Sequence, residues 1–523
     1  MHTQRPIHGI EMLAALLVGL AGGCMAPGPV TTARTDVTLA PIFSDHAVLQ
    51  RGKPVPVWGA AGASDPITVT FRGQTVRTTA GKDGRWIAYL APLAASSEPA
   101  DLVVAGQNTV TMHDLVVGEV WLCSGQSNME FTVNNGGSVY RVDNAQAEVA
   151  SADYPLIRQL RIEHAVAAGP SATVKTSGWQ PASPKTVGEF TAVGYFFARD
   201  IHRALDVPVG IVLSSWGGTP IESWMSDGAR GATSVAGTLD ARWQKEMAEW
   251  PPDRVARYPV EMAEWQKAQA NAEATHTKNP LHWPPPPATD DSPARPGGLF
   301  NGMIAPLQPF AMRGILWYQG ESNADRAGEY AELLAAMIHS WRAGWDQGDL
   351  PFYVVQLANF GDRTNRAWAR LRDAQAQALG VPATGMAVTI DIGNAQNIHP
   401  SNKQDVGRRL ALIAKAKVYG IPGEYSGPLF EGSAREGNAL RVRFTHAGAQ
   451  LVARGGPPTA LEIAGADGVF LPASAAIEGD TLLVSSWVAS EPVAVRYAWT
   501  NAPDANLYND AGLPAAPFRS DNW

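Results

Sequence analysis

Four short polar stretches, each holding a small or flexible residue, stand out along the chain. They are Ser124-Gly-Gln-Ser-Asn-Met129, Ser215-Trp-Gly-Gly-Thr219, Gln319-Gly-Glu-Ser-Asn323 and Asp391 followed by Asn397-Ile-His-Pro400. Ser127 is the candidate nucleophile, because a glycine-flanked turn lifts its hydroxyl toward a helix start whose free N–H groups favour developing negative charge. An alkyl hydroxyl is weakly acidic, so a base must take its proton during attack, and His399 is the imidazole available for that. Gly217 and Gly218 let backbone N–H groups approach a carbonyl, and Gln319 or Asn323 adds a side-chain donor, which together suit an oxyanion hole. Taken singly, each feature has a plain reading: a helix cap for Ser127, a backbone-bonded loop residue for His399, strand-end turns for the glycines. Together they point to acyl transfer.

Elements that could carry these stretches are legible in the hydrophobic patterning. Apolar runs of strand length at Glu119–Cys123, Ile157–Ile162, Val207–Leu213, Arg313–Tyr318, Phe352–Leu357 and Met386–Ile390 alternate with helical periodicity at Gly194–Leu205, Glu329–Ala343, Arg366–Leu379 and Lys403–Lys417. That alternation predicts a parallel sheet with crossover helices, a three-layer α/β/α domain. In such sheets ligands bind outside the carboxyl ends of the strands, which is where the four polar stretches fall. Residues 36–117 read as short β runs in a sandwich-like segment, and 426–523 as a second β segment able to pack with the first. Between them, 118–226 and 299–425 form the two parts of the α/β domain. Residues 227–298 break the pattern with a helical, Trp-rich and proline-rich insertion.

The chain has 523 residues and a formal charge of −8, with 41 basic and 49 acidic side chains. Its charge gives no footprint for nucleic acid or for an anionic membrane surface. Residues 1–24 resemble an export signal, with an apolar run from Met12 to Ala21 too short for an ordinary membrane span. Ala21-Gly-Gly-Cys24 is similar to a lipoprotein cleavage site, with Ala where Leu is usual, so the expectation is export to the periplasm or beyond, with a lipid anchor at Cys24 as the variant. Cys123 then remains as a lone thiol in an apolar strand, a core residue rather than a nucleophile.

Gly125-Gln-Ser-Asn128, Ser215-Trp-Gly-Gly-Thr-Pro-Ile-Glu-Ser-Trp224, Trp317-Tyr-Gln-Gly-Glu-Ser-Asn323 and Ile398-His-Pro400 resemble the blocks of the sialate O-acetylesterase-like family of SGNH-type hydrolases. Pro41–Gln50, Leu299–Ile304 and Asn506–Pro514 extend the resemblance over nearly the whole mature chain. It implies a flavodoxin-like SGNH fold and serine-dependent removal of acetyl groups from sugars, without metal or cofactor, on substrates from sialic acids to xylan and xyloglucan. Related enzymes often carry an acid two or three positions before the histidine, where this chain has Gln396 and Asn397. Either Asp391 or another acid reaches His399 from elsewhere, or a Ser-His dyad is oriented by a neutral acceptor. Glu222 and Glu321 are expected to brace loops. No Arg or Lys lies within the four loops, which favours neutral hemicellulose sugars over a sialate carboxylate. Trp216 and Trp224 are candidates for stacking on sugar rings. The rival readings are a sialate esterase, an esterase for longer acyl chains, and a carbohydrate-binding protein on an esterase scaffold.

Overall fold

Strands Tyr154–Ile162, Val209–Ser215, Thr109–Gly125, Gly314–Tyr318, Phe352–Val355 and Thr384–Ala387 lie side by side in that order and run parallel. The computed structural model describes residues 35–135, 141–275, 277, 279–284, 286–487 and 491–523. Every residue of Val209–Ser215 and of Gly314–Tyr318 is buried, the continuous burial expected of parallel strands covered on both faces. Helix Ala192–Leu205 packs against helix Lys403–Lys417 and on strand Val209–Ser215, and helix Ala327–Trp345 packs against helix Ala367–Ala376. The chain is thus a mixed α/β protein. Helix Lys403–Lys417 begins where its sequence predicts, with the Asn402 side chain accepting the Asp405 N–H as a cap.

Several boundaries differ from expectation, for tertiary reasons. The edge strand Thr176–Ala182 pairs antiparallel with Tyr154–Ile162 and is interrupted by register shifts, so it carries no clean alternation. The last parallel strand is Thr384–Ala387, not Met386–Ile390. Met386, Val388 and Ile390 instead supply apolar side chains to a second core shared with Leu440, Val442, Leu482 and Tyr497. The N-terminal β strands belong to the main core, so the two β segments feed different cores rather than packing with each other.

The boundary expected at 117/118 falls inside one strand. Thr109–Gly125 pairs antiparallel with Ser96–Ala105 in its first half and becomes the centre of the parallel sheet in its second. Residues 227–274 hold helices Asp227–Gly231, Ala236–Ala248 and Pro252–Ala274, and an Arg242–Glu329 ion pair ties the second of them to helix Ala327–Trp345. The export segment and Cys24 lie outside the described residues. Cys123 is fully buried, and burial pushes its thiol well above the ordinary range, as suits a core residue. No helix among the described residues is long and apolar enough to cross a membrane.

The central strand ends at Gly125, whose φ of +132° and close neighbour both require glycine. A Cβ there would lie 2.1 Å from the Tyr318 carbonyl oxygen of the adjacent strand. Gly125→Ala is expected to cost at least about 1–3 kcal/mol of stability through backbone strain alone. Chemical denaturation reads this directly, and an unchanged unfolding midpoint would contradict it.

Candidate active site

Beyond Gly125 the chain turns into the short helix Ser127–Glu130, held in place from the neighbouring strand end. The Gln126 N–H donates to the Tyr318 carbonyl at 3.0 Å, and the Gln126 side-chain oxygen accepts from the backbone N–H groups of Gly320 and Ser322. This fixes Ser127, which is partly exposed, with its Oγ 2.9 Å from Nε2 of His399. The two residues are 272 positions apart in sequence. Asn397 Oδ1 accepts from the backbone N–H of His399 at 2.9 Å, and the Phe131 ring lies 6.1 Å from the imidazole. Burial, helped by the nearby Lys403 charge, lowers the His399 pKa to about 4. The imidazole is therefore neutral, and able to accept a proton, over the whole neutral range.

Asp391 does not serve this histidine. Its oxygens take both ends of the Arg409 guanidinium at 2.6 and 2.7 Å, a pairing in which both side chains are buried. Among the described residues no carboxylate lies within ion-pairing distance of His399. The reason is geometric: a carboxylate saturated by a forked guanidinium has no cause to turn away from it.

The expected oxyanion donors also need correction. Gln319 spends both amide hydrogens, on the Thr219 carbonyl and on Asn323 Oδ1, while its oxygen accepts from the Tyr330 hydroxyl. Asn323 donates to Glu222 and accepts from the Ile221 N–H. Glu222 is further bound to Arg326 at 2.7 Å, so it braces the loops as expected. The Gly217 N–H donates to Glu130 Oε2 at 2.8 Å and is likewise committed. Its loop nonetheless lies against the nucleophile, since a Cβ on Gly217 would be 3.2 Å from Ser127 Cβ. Among the described residues the backbone N–H groups of Ser127 and Gly218 have no partner.

Of the two tryptophans, Trp224 is fully buried, donates to the Thr219 hydroxyl and packs edge-on against Trp317, so it cannot meet a sugar. Trp216 is half-buried, and the His164 ring stacks on one of its faces at 4.0 Å and 6°. His164 in turn meets Glu130 at 2.9 Å, and Arg161 meets the same carboxylate at 3.0 Å. These contacts hold Glu130 ionised below the usual carboxylate range despite its burial. Sequence reasoning missed this group, although a signal existed: Arg161 and His164 sit at the carboxyl end of Tyr154–Ile162, where the strand-end rule applies as it does to the other loops. Lys403 was missed because nothing in a helical pattern marks a lysine as buried. Among the described residues no cluster of His, Cys, Asp and Glu is arranged to hold a metal ion.

With Asp391 bound to Arg409, Asp391→Asn is expected to cost about 3 kcal/mol by leaving a buried guanidinium unpaired. The folded fraction should keep kcat within about twofold, because the histidine is untouched. A loss of kcat of a hundredfold or so, of the order expected when a general acid–base partner is removed, would restore Asp391 as the partner of His399.

Comparison with known proteins places this geometry. A family described as carbohydrate esterase, sialic acid-specific acetylesterase, matches residues 293–415. The sialate O-acetylesterase of Rattus norvegicus is 30% identical over 92% of this chain and 93% of its own length. That of Mus musculus is 28% identical over 99% and 98%. The crystal structure of a carbohydrate acetylesterase from Xanthomonas citri superposes with a TM-score of 0.78 at 38% identity, covering 93% of this chain and 100% of that one. The likeness runs through the β segments as well as the residues around Ser127 and His399, and the chain belongs to the sialate O-acetylesterase family of carbohydrate esterases, as a carboxylic ester hydrolase.

Proposed function

We propose that this protein releases acetate from acetylated sugars by a Ser-His dyad, on an SGNH-type three-layer domain built from residues 118–226 and 299–425. The observation that carries the reading is the 2.9 Å contact between Ser127 Oγ and His399 Nε2. Ser127 Oγ attacks the acetyl carbonyl while Nε2 takes its proton. The oxyanion is held by the free backbone N–H groups of Ser127 and Gly218. His399 then protonates the departing sugar oxygen, and water, activated by the same imidazole, cleaves the acetyl-serine to acetate. The His399 backbone is fixed by the Asn397 amide oxygen, and its ring lies between Ser127 Oγ and the Phe131 ring.

Neutral hemicellulose oligosaccharides, from xyloglucan or xylan, are the proposed substrates. The cations beside the site already have partners, Arg161 in Glu130 and Arg326 in Glu222. The exposed part of Trp216 is the platform proposed for a pyranose ring. A sialate substrate is the second reading, favoured by Arg161, whose side chain is 40% exposed at the rim. Export to the periplasm or beyond, with a lipid anchor at Cys24 as the variant, is part of the same proposal and accords with a polysaccharide substrate.

Acetate release from acetylated xyloglucan, acetylated xylan and O-acetylated sialic acid tests the proposal. Ser127→Ala and His399→Ala are each expected to lower kcat by about 10³-fold or more. Full turnover by Ser127→Ala would overturn the mechanism, and release from the sialic acid alone would overturn the substrate. The pH profile follows from the low pKa of the base. Because protonation of His399 removes the proton acceptor, kcat/KM should stay level as pH falls through 6 and decline only near the value of about 4. A decline centred near the ordinary histidine value of about 6.5 would contradict this environment for His399.

A further inference from the structure

Lys403 is completely buried at the start of the helix that follows His399, yet it plays no part in the acyl transfer. Its ammonium lies 2.5 Å from Asn128 Oδ1 and sits 5.0 and 5.4 Å from the ring centroids of Phe131 and Tyr318. A buried ammonium is expensive, and an apolar side chain of the same length would fill this space at lower cost. The charge therefore calls for a use.

Asn128 supplies one. Its Nδ2 hydrogens go to Glu321 Oε1 at 2.6 Å and to the Ile398 carbonyl at 3.0 Å. One amide thus joins the residue after the nucleophile to the residue before the base. The amide can donate to both only while its oxygen faces the opposite way, and Lys403 is the donor waiting there. Glu321 is partly buried, and its second carboxylate oxygen, shielded from solvent, has no hydrogen-bond partner. The groups facing Lys403 from the packed elements are Glu321, His399 and the Tyr318 ring.

We propose that Lys403 is a positioning residue that locks the orientation of the Asn128 amide, with Glu321 as its counter-charge, and so holds Ser127 and His399 in register for proton transfer. The inference rests on the acyl-transfer reading of Ser127 and His399. With no carboxylate among the described residues on the imidazole, this buried network supplies only the orienting part of a triad acid's work, the relative placement of nucleophile and base, and not the stabilising of the imidazolium. The same ammonium disfavours a second positive charge on His399, whereas Glu321 favours the protonated form of Lys403 against burial that lowers its pKa to about 7.

The experiment is steady-state kinetics with p-nitrophenyl acetate across pH for the purified parent, Lys403→Met, Glu321→Gln and Ser127→Ala. Lys403→Met should lower kcat by at least about tenfold with KM within about twofold, since a misplaced base weakens the transition state and not binding. Its acid limb should move to higher pH, because the repelling charge is gone. Glu321→Gln should move the alkaline limb to lower pH, because Lys403 then loses its proton more readily. A folded Lys403→Met with parental kcat and acid limb overturns the inference. Should Lys403→Met fail to fold, a Glu321→Gln profile that matches the parent overturns it. An inactive Ser127→Ala beside a parental Lys403→Met removes the inference alone, whereas an active Ser127→Ala removes the acyl-transfer reading and the inference together.

Discussion

The backbone of Thr109–Gly125 must find hydrogen-bond partners along both edges while its side chains are removed from water, and much of the architecture follows from that requirement. From Leu115 to Gly125 every residue is buried. A buried peptide group without a partner is costly, so Val209–Ser215 on one side and Gly314–Tyr318 on the other are held in register with it residue by residue. The strand's far half is paired into the N-terminal β segment, which therefore continues the sheet of the hydrolase rather than hanging from it. At its near end the approach of Tyr318 leaves room only for glycine, and the chain must turn at once. Ser127 is placed by that turn.

The second organising constraint is electrostatic. Charges taken from water must be paired or neutralised, and around the site they are paired with few vacancies. Arg409 holds Asp391, Arg326 holds Glu222, and Arg161 with His164 holds Glu130. The Arg326 and Arg161 pairs each join segments at two different strand ends, and Arg409 joins the loop after Thr384–Ala387 to the helix Lys403–Lys417 that follows it. The same pairing commits Asp391 to Arg409, both amide hydrogens of Gln319 to neighbouring oxygens, and one of those of Asn323 to Glu222. His399 stands apart as a half-buried base with no carboxylate beside it among the described residues, tuned by burial and a lysine.

The serine, the histidine and the loop glycines were legible because each follows an apolar run in a pattern with only one common architectural meaning. The strand ends of a parallel sheet share an edge, so residues spread over hundreds of positions could be assigned to one neighbourhood without knowing any distance. Helix Lys403–Lys417 was legible to the residue because its cap, Asn402, is a local hydrogen bond. The strand Thr176–Ala182 was not, since its pairing depends on a partner with shifted register rather than on its own alternation.

Sequence by itself therefore determined the α/β class, the placing of Ser127 and His399 at one sheet edge, and the membership of the loops that surround them. These are set by local patterning and by the topology that patterning permits. Only the tertiary structure decided which polar groups in those loops are free. Gln319 looks like a donor and is spent, Trp224 looks like a platform and is buried, and Asp391 looks like the acid and belongs to Arg409. Partnership and burial are properties of what a side chain meets from distant segments, and no spacing along the chain records them. Lys403 shows the same point from the other side: in sequence it is one lysine at a helix start, and only packing makes it a buried charge against Asn128.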